Sequence, residues 1–163
     1  MTKKLILALA SLALAAPSVA EDPMVVQVKR LSLDTAVRIA QGAIEACREK
    51  GIQIGVTVVD RDGTVQATLR DTIAAPITAT ISEMKAKTAV NFNAATSAMK
   101  ARADTPIGRI DGLVMSAGGV PVLVGGSALV AGVGVSGAPA GETDEECALA
   151  GVAKVQEDLD MAM

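Results

Sequence analysis

Two adjacent carboxylates, Asp144 and Glu145, are of a type that could serve as general acid and base. They follow a turn of small residues that begins at Gly137. Thr143 and Glu146 have the spacing of a capping box, in which the threonine accepts from a backbone N–H three residues on and the glutamate reaches back to the threonine. A helix should therefore begin here, and solvated acids in its first turn explain the carboxylates more simply than catalysis does.

The residue types that are missing exclude most other catalytic and metal sites. The sequence contains no histidine and no tyrosine, so neither a Ser-His-Asp nor a Cys-His set can be built. Two cysteines are too few for a zinc site made of cysteine alone. Ser82 and Lys85 match the Ser-x-x-Lys string of penicillin-recognising enzymes, but its companion strings are absent. We interpret this match as a coincidence and assign no catalytic residue.

The two cysteines, Cys47 and Cys147, fall on the first and the last of the predicted helices. Both helices should cover the same face of a sheet. A disulfide between them is therefore one interpretation, and it fits an exported protein, in which thiols tend to oxidise. Two buried thiols are the other interpretation.

The first twenty residues have the pattern of a secretory signal peptide. Lys3 and Lys4 form a basic start, residues 5–16 are an apolar run too short to span a bilayer comfortably, and a small-x-small cleavage site ends at Ala20. An uncleaved N-terminal anchor is the alternative. We predict export to the periplasm or the medium, one domain over residues 21–163, and no membrane span after cleavage.

Charge and composition indicate which partners the exported chain can have. Without Lys3 and Lys4, the 18 acidic residues outnumber the basic ones, which disfavours nucleic acid and anionic membranes as partners. Phe92 is the only aromatic residue, so the core must be built from smaller side chains that each bury little area. Burial of further surface between subunits would add stability, and we expect a homo-oligomer.

Apolar residues recur at spacings of three and four in two regions, which predicts two helices, and the capping box at Thr143 predicts a third. Asn91 and Asn93 could split the second helix, with Asn93 capping the start of its second part. The polar stretch that follows, residues 101–112, predicts a surface connection that could form a mobile flap. The predicted helices cover residues 32–51, 77–99 and 144–159.

Runs rich in valine and threonine predict two strands, and apolar runs separated by glycines predict three more. Asp62-Gly63 is a hairpin signal between the first two strands, and the string that begins at Asp60 lacks the third acid and the closing glutamate of a calcium loop. The order α-β-β-α-β-β-β-α predicts an α/β fold of the α+β kind, a central antiparallel sheet with helices packed on it. The predicted strands cover residues 52–60, 64–69, 113–116, 120–124 and 128–136.

Four sequence blocks resemble the GlcG/HbpS-like family, also called the haem-degrading domain family. They are VTVVDRDG (56–63), KAKTAVNF (85–92), SAGGVPV (116–122) and GVGVSGAPAGETDEECALAG (132–151). With their spacing they cover essentially the whole of residues 21–163. The resemblance implies a profilin-like or PAS-like sandwich, self-association into oligomers, a pocket between the sheet and the central helix, and haem binding, which is known for secreted members.

The resemblance also implies a set of ligand-binding residues. Three of them, Lys85, Thr88 and Phe92, are spaced to share one helix face, where a cation, a hydroxyl and a ring suit a planar ligand that bears carboxylates. Alternatively, Thr88 and Phe92 belong to the core, and Lys85 pairs with Glu83 or with an acid of another subunit. Arg109, on the predicted flap, is a further candidate. The recurrent positions are Lys85, Thr88, Phe92, Gly118, Gly119, Pro121, Gly137, Asp144 and Glu145.

Two classes of function follow from the resemblance. The first is an exported binding, sensing or accessory module for haem, another tetrapyrrole or a different small organic ligand. Haem iron is usually held by His, Cys, Met or Tyr, so haem would bind here without histidine ligation. The second is a small periplasmic enzyme that acts on a small oxidised metabolite, with Lys85 as electrophile or base.

Overall fold

A four-stranded antiparallel sheet with helices on both faces forms the fold, in a computed structural model that describes residues 23–162. The predicted signal peptide and its cleavage site lie outside the described residues. The strand order is β2-β1-β4-β3, and the predicted α+β class is confirmed. The elements are α1 (Leu33–Glu49), β1 (Gly55–Asp60), β2 (Val65–Arg70), α2 (Ile77–Phe92), β3 (Gly119–Val124), β4 (Ala128–Ser136) and α3 (Gly141–Met161).

The predicted strand at residues 113–116 does not form, so the order within residues 23–162 is α-β-β-α-β-β-α. The backbone N–H groups in this stretch donate to acceptors outside the sheet. Leu113 N–H donates to the carbonyl of Ile110, and Val114 N–H donates to the Thr88 hydroxyl at 2.9 Å. The apolar run predicts a strand, but its backbone N–H groups bond to a turn carbonyl and to a side chain instead.

Two predicted caps are also wrong. Asn93 adopts the left-handed conformation (φ 46°) and ends α2, instead of starting a second helix. Two short 3₁₀ helices, Thr96–Arg102 and Pro106–Arg109, follow it. The capping box at Thr143 does not form, because α3 already begins at Gly141 and Thr143 N–H donates to the carbonyl of Ala140.

The predicted hairpin between β1 and β2 is confirmed. Gly63 has a φ of 85°, which glycine tolerates better than other residues. One oxygen of Asp60 accepts from the N–H groups of Asp62 and Thr64, both at 2.9 Å. The aspartate at this turn is therefore occupied by backbone donors and by an ion pair with Arg30, as the turn interpretation requires.

One face of the sheet lies directly against α2, because β4 offers glycine there. Gly132 and Gly134 alternate with valines along the strand. A Cβ at Gly134 would lie 1.9 Å from the Ser82 carbonyl oxygen, and one at Gly132 would lie 2.8 Å from that of Ala86. The helix therefore rests on the strand backbone, and this contact fixes how far the middle of α2 stands from the sheet.

The opposite face of the sheet is covered by α1 and α3, as expected. Gly42 and Gly151 let the two helices cross closely, since a Cβ at Gly151 would lie 2.5 Å from the carbonyl oxygen of Ile39. A disulfide joins Cys47 to Cys147 on these helices, with a Cα–Cα distance of 5.6 Å. None of the helices described for residues 23–162 combines the length and the apolar character needed to cross a membrane.

Candidate functional site

A buried ion pair joins α2 to α3 at the centre of the predicted site. Lys85 Nζ donates to Asp144 Oδ2 at 2.8 Å and to the carbonyl oxygen of Val135 at 2.9 Å. Both side chains are only 4% exposed. The acid that Lys85 pairs with is thus Asp144 of the same chain, whereas Glu83 pairs with Lys87.

Asp144 is not the solvated acid that the sequence suggested. Its second oxygen accepts from the N–H of Ala138 at 2.9 Å, in the loop between β4 and α3. Burial raises the pKa of Asp144, and the hydrogen bonds from Lys85 and Ala138 oppose that rise. Asp144 faces the interior, where it ties the loop between β4 and α3 to α2.

Glu145 holds the loop in front of β3 and the first 3₁₀ helix together. Its carboxylate accepts from the Ser97 hydroxyl at 2.6 Å and from the N–H of Gly118 at 3.2 Å. Thr96 adds a second link, because its hydroxyl accepts from the N–H of Gly119 at 2.8 Å. The adjacent acids Asp144 and Glu145 therefore bind different partners and do not form an acid–base pair around a shared opening.

The glycines of the predicted site are packed against these side chains. Gly118 has a φ of 123°, and a Cβ there would lie 2.5 Å from Lys85 Nζ and 2.7 Å from the Val135 oxygen. A Cβ at Gly119 would lie 2.4 Å from the carbonyl oxygen of Lys85, and Gly137 lies similarly close to the backbone that precedes β1. The lack of side chains at these three glycines therefore lets other protein atoms approach closely. The space that a side chain at Gly118 would need is filled by Lys85 and the Val135 carbonyl.

Thr88 and Phe92 continue the same side of α2. The Thr88 hydroxyl donates to the carbonyl of Met84 at 2.8 Å and accepts from Val114 N–H, so both of its hydrogen-bonding roles are used. Phe92 is half-buried, and the guanidinium of Arg102 lies 5.6 Å from its ring centroid. The ring therefore marks the point where this buried face of α2 reaches the surface.

Pro121 and Arg109 lie outside the buried network. Pro121 is half-buried in β3, opposite Gly132 of β4. Arg109 is exposed at the end of the second 3₁₀ helix, and we find no hydrogen bond or ion pair for it within residues 23–162. Residues 101–112, the flap segment, are almost all exposed, as predicted for a surface connection.

Four partners in this network could not be predicted from residue patterns. The Val135 carbonyl and the Ala138 N–H are backbone groups, which no residue pattern singles out. Thr96 and Ser97 follow the end of α2 in a stretch that the sequence predicts to be helical. Their roles depend on contacts with Gly119 and Glu145, which are distant in the chain.

The comparisons with known proteins identify one family. A family model described as haem degrading protein HbpS-like matches residues 31–153. No curated protein matches the chain significantly.

Solved structures share the fold. A double mutant of Streptomyces reticuli HbpS is 40% identical, with a TM-score of 0.75, and the match covers 86% of this chain and 97% of that one. The haem complex of PduOC is 25% identical, with a TM-score of 0.70 over 77% and 94% of the two chains. Klebsiella pneumoniae protein ORFY, at 22% identity and a TM-score of 0.75 over 83% and 97%, shows the fold alone.

Proposed function

Since the chain belongs to the HbpS-like family of haem-degrading proteins, we propose that it binds haem or a related tetrapyrrole as an exported binding, sensing or accessory protein. The observation that carries this proposal is the family match over residues 31–153. The haem complex of the related PduOC supports the same class of ligand. Export is supported by the disulfide, which is typical of oxidising compartments.

The donor atoms of this chain suit the ring and the carboxylates of a tetrapyrrole better than its iron. The sequence has no histidine and no tyrosine, and both cysteines are bonded to each other. Among the usual iron ligands only methionine thioethers remain, such as those of Met84, Met99 and Met115. When bound, haem would offer a planar apolar face and two carboxylates, and arginine is suited to hold the latter.

Two exposed arginines, Arg102 beside Phe92 and Arg109 on the next 3₁₀ helix, can hold such carboxylates without the loss of an existing ion pair. Arg102 lies over the Phe92 ring, and Arg109 belongs to the next 3₁₀ helix, which packs against the first where Gly108 meets the carbonyl of Arg102. Ile107 and Ile110 of the same segment are exposed and add apolar surface. The proposed ligand therefore lies against Phe92 and the flap segment, with its carboxylates on the arginines.

In this proposal the Lys85–Asp144 pair stabilises the structure around the site and does not contact the ligand. Lys85 donates to two acceptors and is 4% exposed, so a ligand carboxylate could reach it only by displacing Asp144. The same pairing disfavours the alternative function, an enzyme that uses Lys85 as electrophile or base. A substrate carbonyl would also have to displace Asp144 before it reached the Lys85 amine. Lys85 instead fixes the positions of the loop at Gly118 and the start of α3.

The first test is a haem titration of the purified protein, followed by its Soret band. We expect stoichiometric saturation, and we expect Arg109→Gln to weaken binding about ten- to a hundredfold, because it removes one charged hydrogen bond. The matched control is Arg61→Gln, an exposed arginine in the β1–β2 turn, which should leave the affinity unchanged. A protein that shows no Soret shift, and that no tetrapyrrole stabilises against heat, would contradict the proposed function.

A further inference from the structure

A cleft between α1 and the end of β2 lies on the opposite side of the sheet from the site described above. Its volume is about 420 Å³, within the range of small-molecule pockets, and it is the largest of three cavities that we describe for residues 23–162. Ile44 and Leu69 give it an apolar floor. Its polar lining includes Arg48, Arg70, Glu45 and Asp71.

The first arginine, Arg48, is held in place by a buried acid. Its Nε lies 3.0 Å from each carboxylate oxygen of Asp71, and its Nη2 also donates to that carboxylate. Asp71 has a side chain that is only 2% exposed, whereas that of Arg48 is 60% exposed. The pair therefore fixes one edge of the guanidinium, and Nη1 has no acceptor that we can identify within residues 23–162.

The second arginine, Arg70, is held by the loop that follows β2. Its Nη1 donates to the carbonyl oxygens of Asp71, Thr72 and Ala74. These bonds leave Nε and Nη2 without an acceptor in the described part of the chain. A guanidinium offers its donors as a rigid fork that matches a carboxylate, so Arg70 presents a fixed, unused edge.

Within residues 23–162, Arg70 is the arginine of the cleft that has no carboxylate partner. Asp71 is taken up by Arg48, and Glu45 lies 3.5 Å from Lys154 at the rim. Gln41 is the remaining polar residue of the lining. We propose that this cleft binds a small organic carboxylate, whose carboxylate lies against Arg70 and Arg48 and whose apolar part lies on Ile44 and Leu69.

This inference does not rest on the proposed tetrapyrrole binding, because the two sites share no residue. The proposal predicts opposite effects on binding for substitutions of two residues that line the cleft, Arg70 and Glu45. Arg70 attracts the ligand carboxylate, so its loss should weaken binding. Glu45 repels the carboxylate from the rim, so its neutralisation should strengthen binding.

The test is calorimetric titration of the full purified protein with hexanoate, and with hexanol as the neutral analogue. We expect hexanoate to bind and hexanol to bind far more weakly. Arg70→Gln should weaken hexanoate binding at least about tenfold, while Glu45→Gln should strengthen it about two- to fivefold. Arg38→Gln is the matched control, an exposed α1 arginine that pairs with Asp158 instead, and it should change nothing.

Arg70→Gln also removes bonds to the loop and could unfold it, so Glu45→Gln carries the test in that case. Glu45 has only an exposed partner, and its substitution should preserve the fold. The proposal is overturned if hexanoate does not bind the wild-type protein, if hexanol binds equally well, or if Glu45→Gln weakens binding. Amide NMR shifts whose largest changes lie outside residues 41–48 and 69–75 would also overturn it.

Discussion

Lys85→Met is expected to lower the free energy of unfolding by about 3–5 kcal/mol, because removal of one partner of a buried ion pair leaves the other charge uncompensated. Asp144 would remain at 4% exposure with only the Ala138 N–H as a donor. The Val135 carbonyl would also lose its bond to Nζ. Methionine retains most of the apolar stem of lysine, so the loss reflects the charge. Denaturant unfolding of the variant measures it.

Two further variants separate this effect from a general cost of changing α2. Lys87→Met, on the same helix, breaks an exposed i,i+4 pair with Glu83 and should cost no more than about 0.5 kcal/mol. The double variant Lys85→Met with Asp144→Leu removes both buried charges and should recover much of the loss. A Lys85→Met protein as stable as Lys87→Met would refute the structural role of the pair. Retained haem affinity in the destabilised variant would show that Lys85 does not contact the ligand.

Removal of the disulfide is expected to cause a loss of similar size. Cys47 and Cys147 are 100 residues apart, and the chain-entropy model assigns roughly 4–5 kcal/mol to a closed loop of this length. Replacement of both cysteines by alanine should therefore lower the free energy of unfolding by about that amount, less any relaxation of the native state. The substitution adds small cavities where α1 meets α3, and these add to the loss.

The intact mass of protein from an exporting host tests the disulfide and the export together. We expect a chain that starts at Glu21 and lacks the two thiol hydrogens. The control is the same sample after reduction, which should gain both hydrogens and unfold at lower denaturant concentration. Two thiols that titrate in unfolded, unreduced protein would disprove the disulfide, and a retained N-terminus would disprove the cleavage.

The local parts of the fold could be predicted from the sequence because their causes lie close together in the chain. Ser32 precedes an apolar stripe and caps α1, accepting from the N–H of Thr35. Asp62-Gly63 forms the hairpin between β1 and β2, and the predicted strand 128–136 has the bounds of β4. In each case the turn chemistry and the periodicity point to the same element.

The site could be predicted only in part, because its contacts are made between distant segments. Lys85 and Thr88 do share a buried face of α2, but Asp144 is 59 residues from Lys85 and its pattern matched a solvated first turn. The capping box at Thr143 was a sound local signal. It does not form because α3 begins two residues before Thr143, at Gly141, whose backbone lies close to the distant Ala117.

Paired titrations with haem and with metal-free protoporphyrin IX test most directly the claim that a tetrapyrrole binds through its ring and carboxylates. The two ligands share the ring and both carboxylates and differ in the iron. The chain offers no histidine, no tyrosine and no free cysteine as an iron ligand, and the flap segment against which the ligand is proposed to lie contains no methionine. We therefore predict dissociation constants that agree within about tenfold, a difference below about 1.4 kcal/mol. Haem binding more than about a hundredfold tighter than that of the metal-free ring would contradict the claim, because it would require a bond from the chain to the iron.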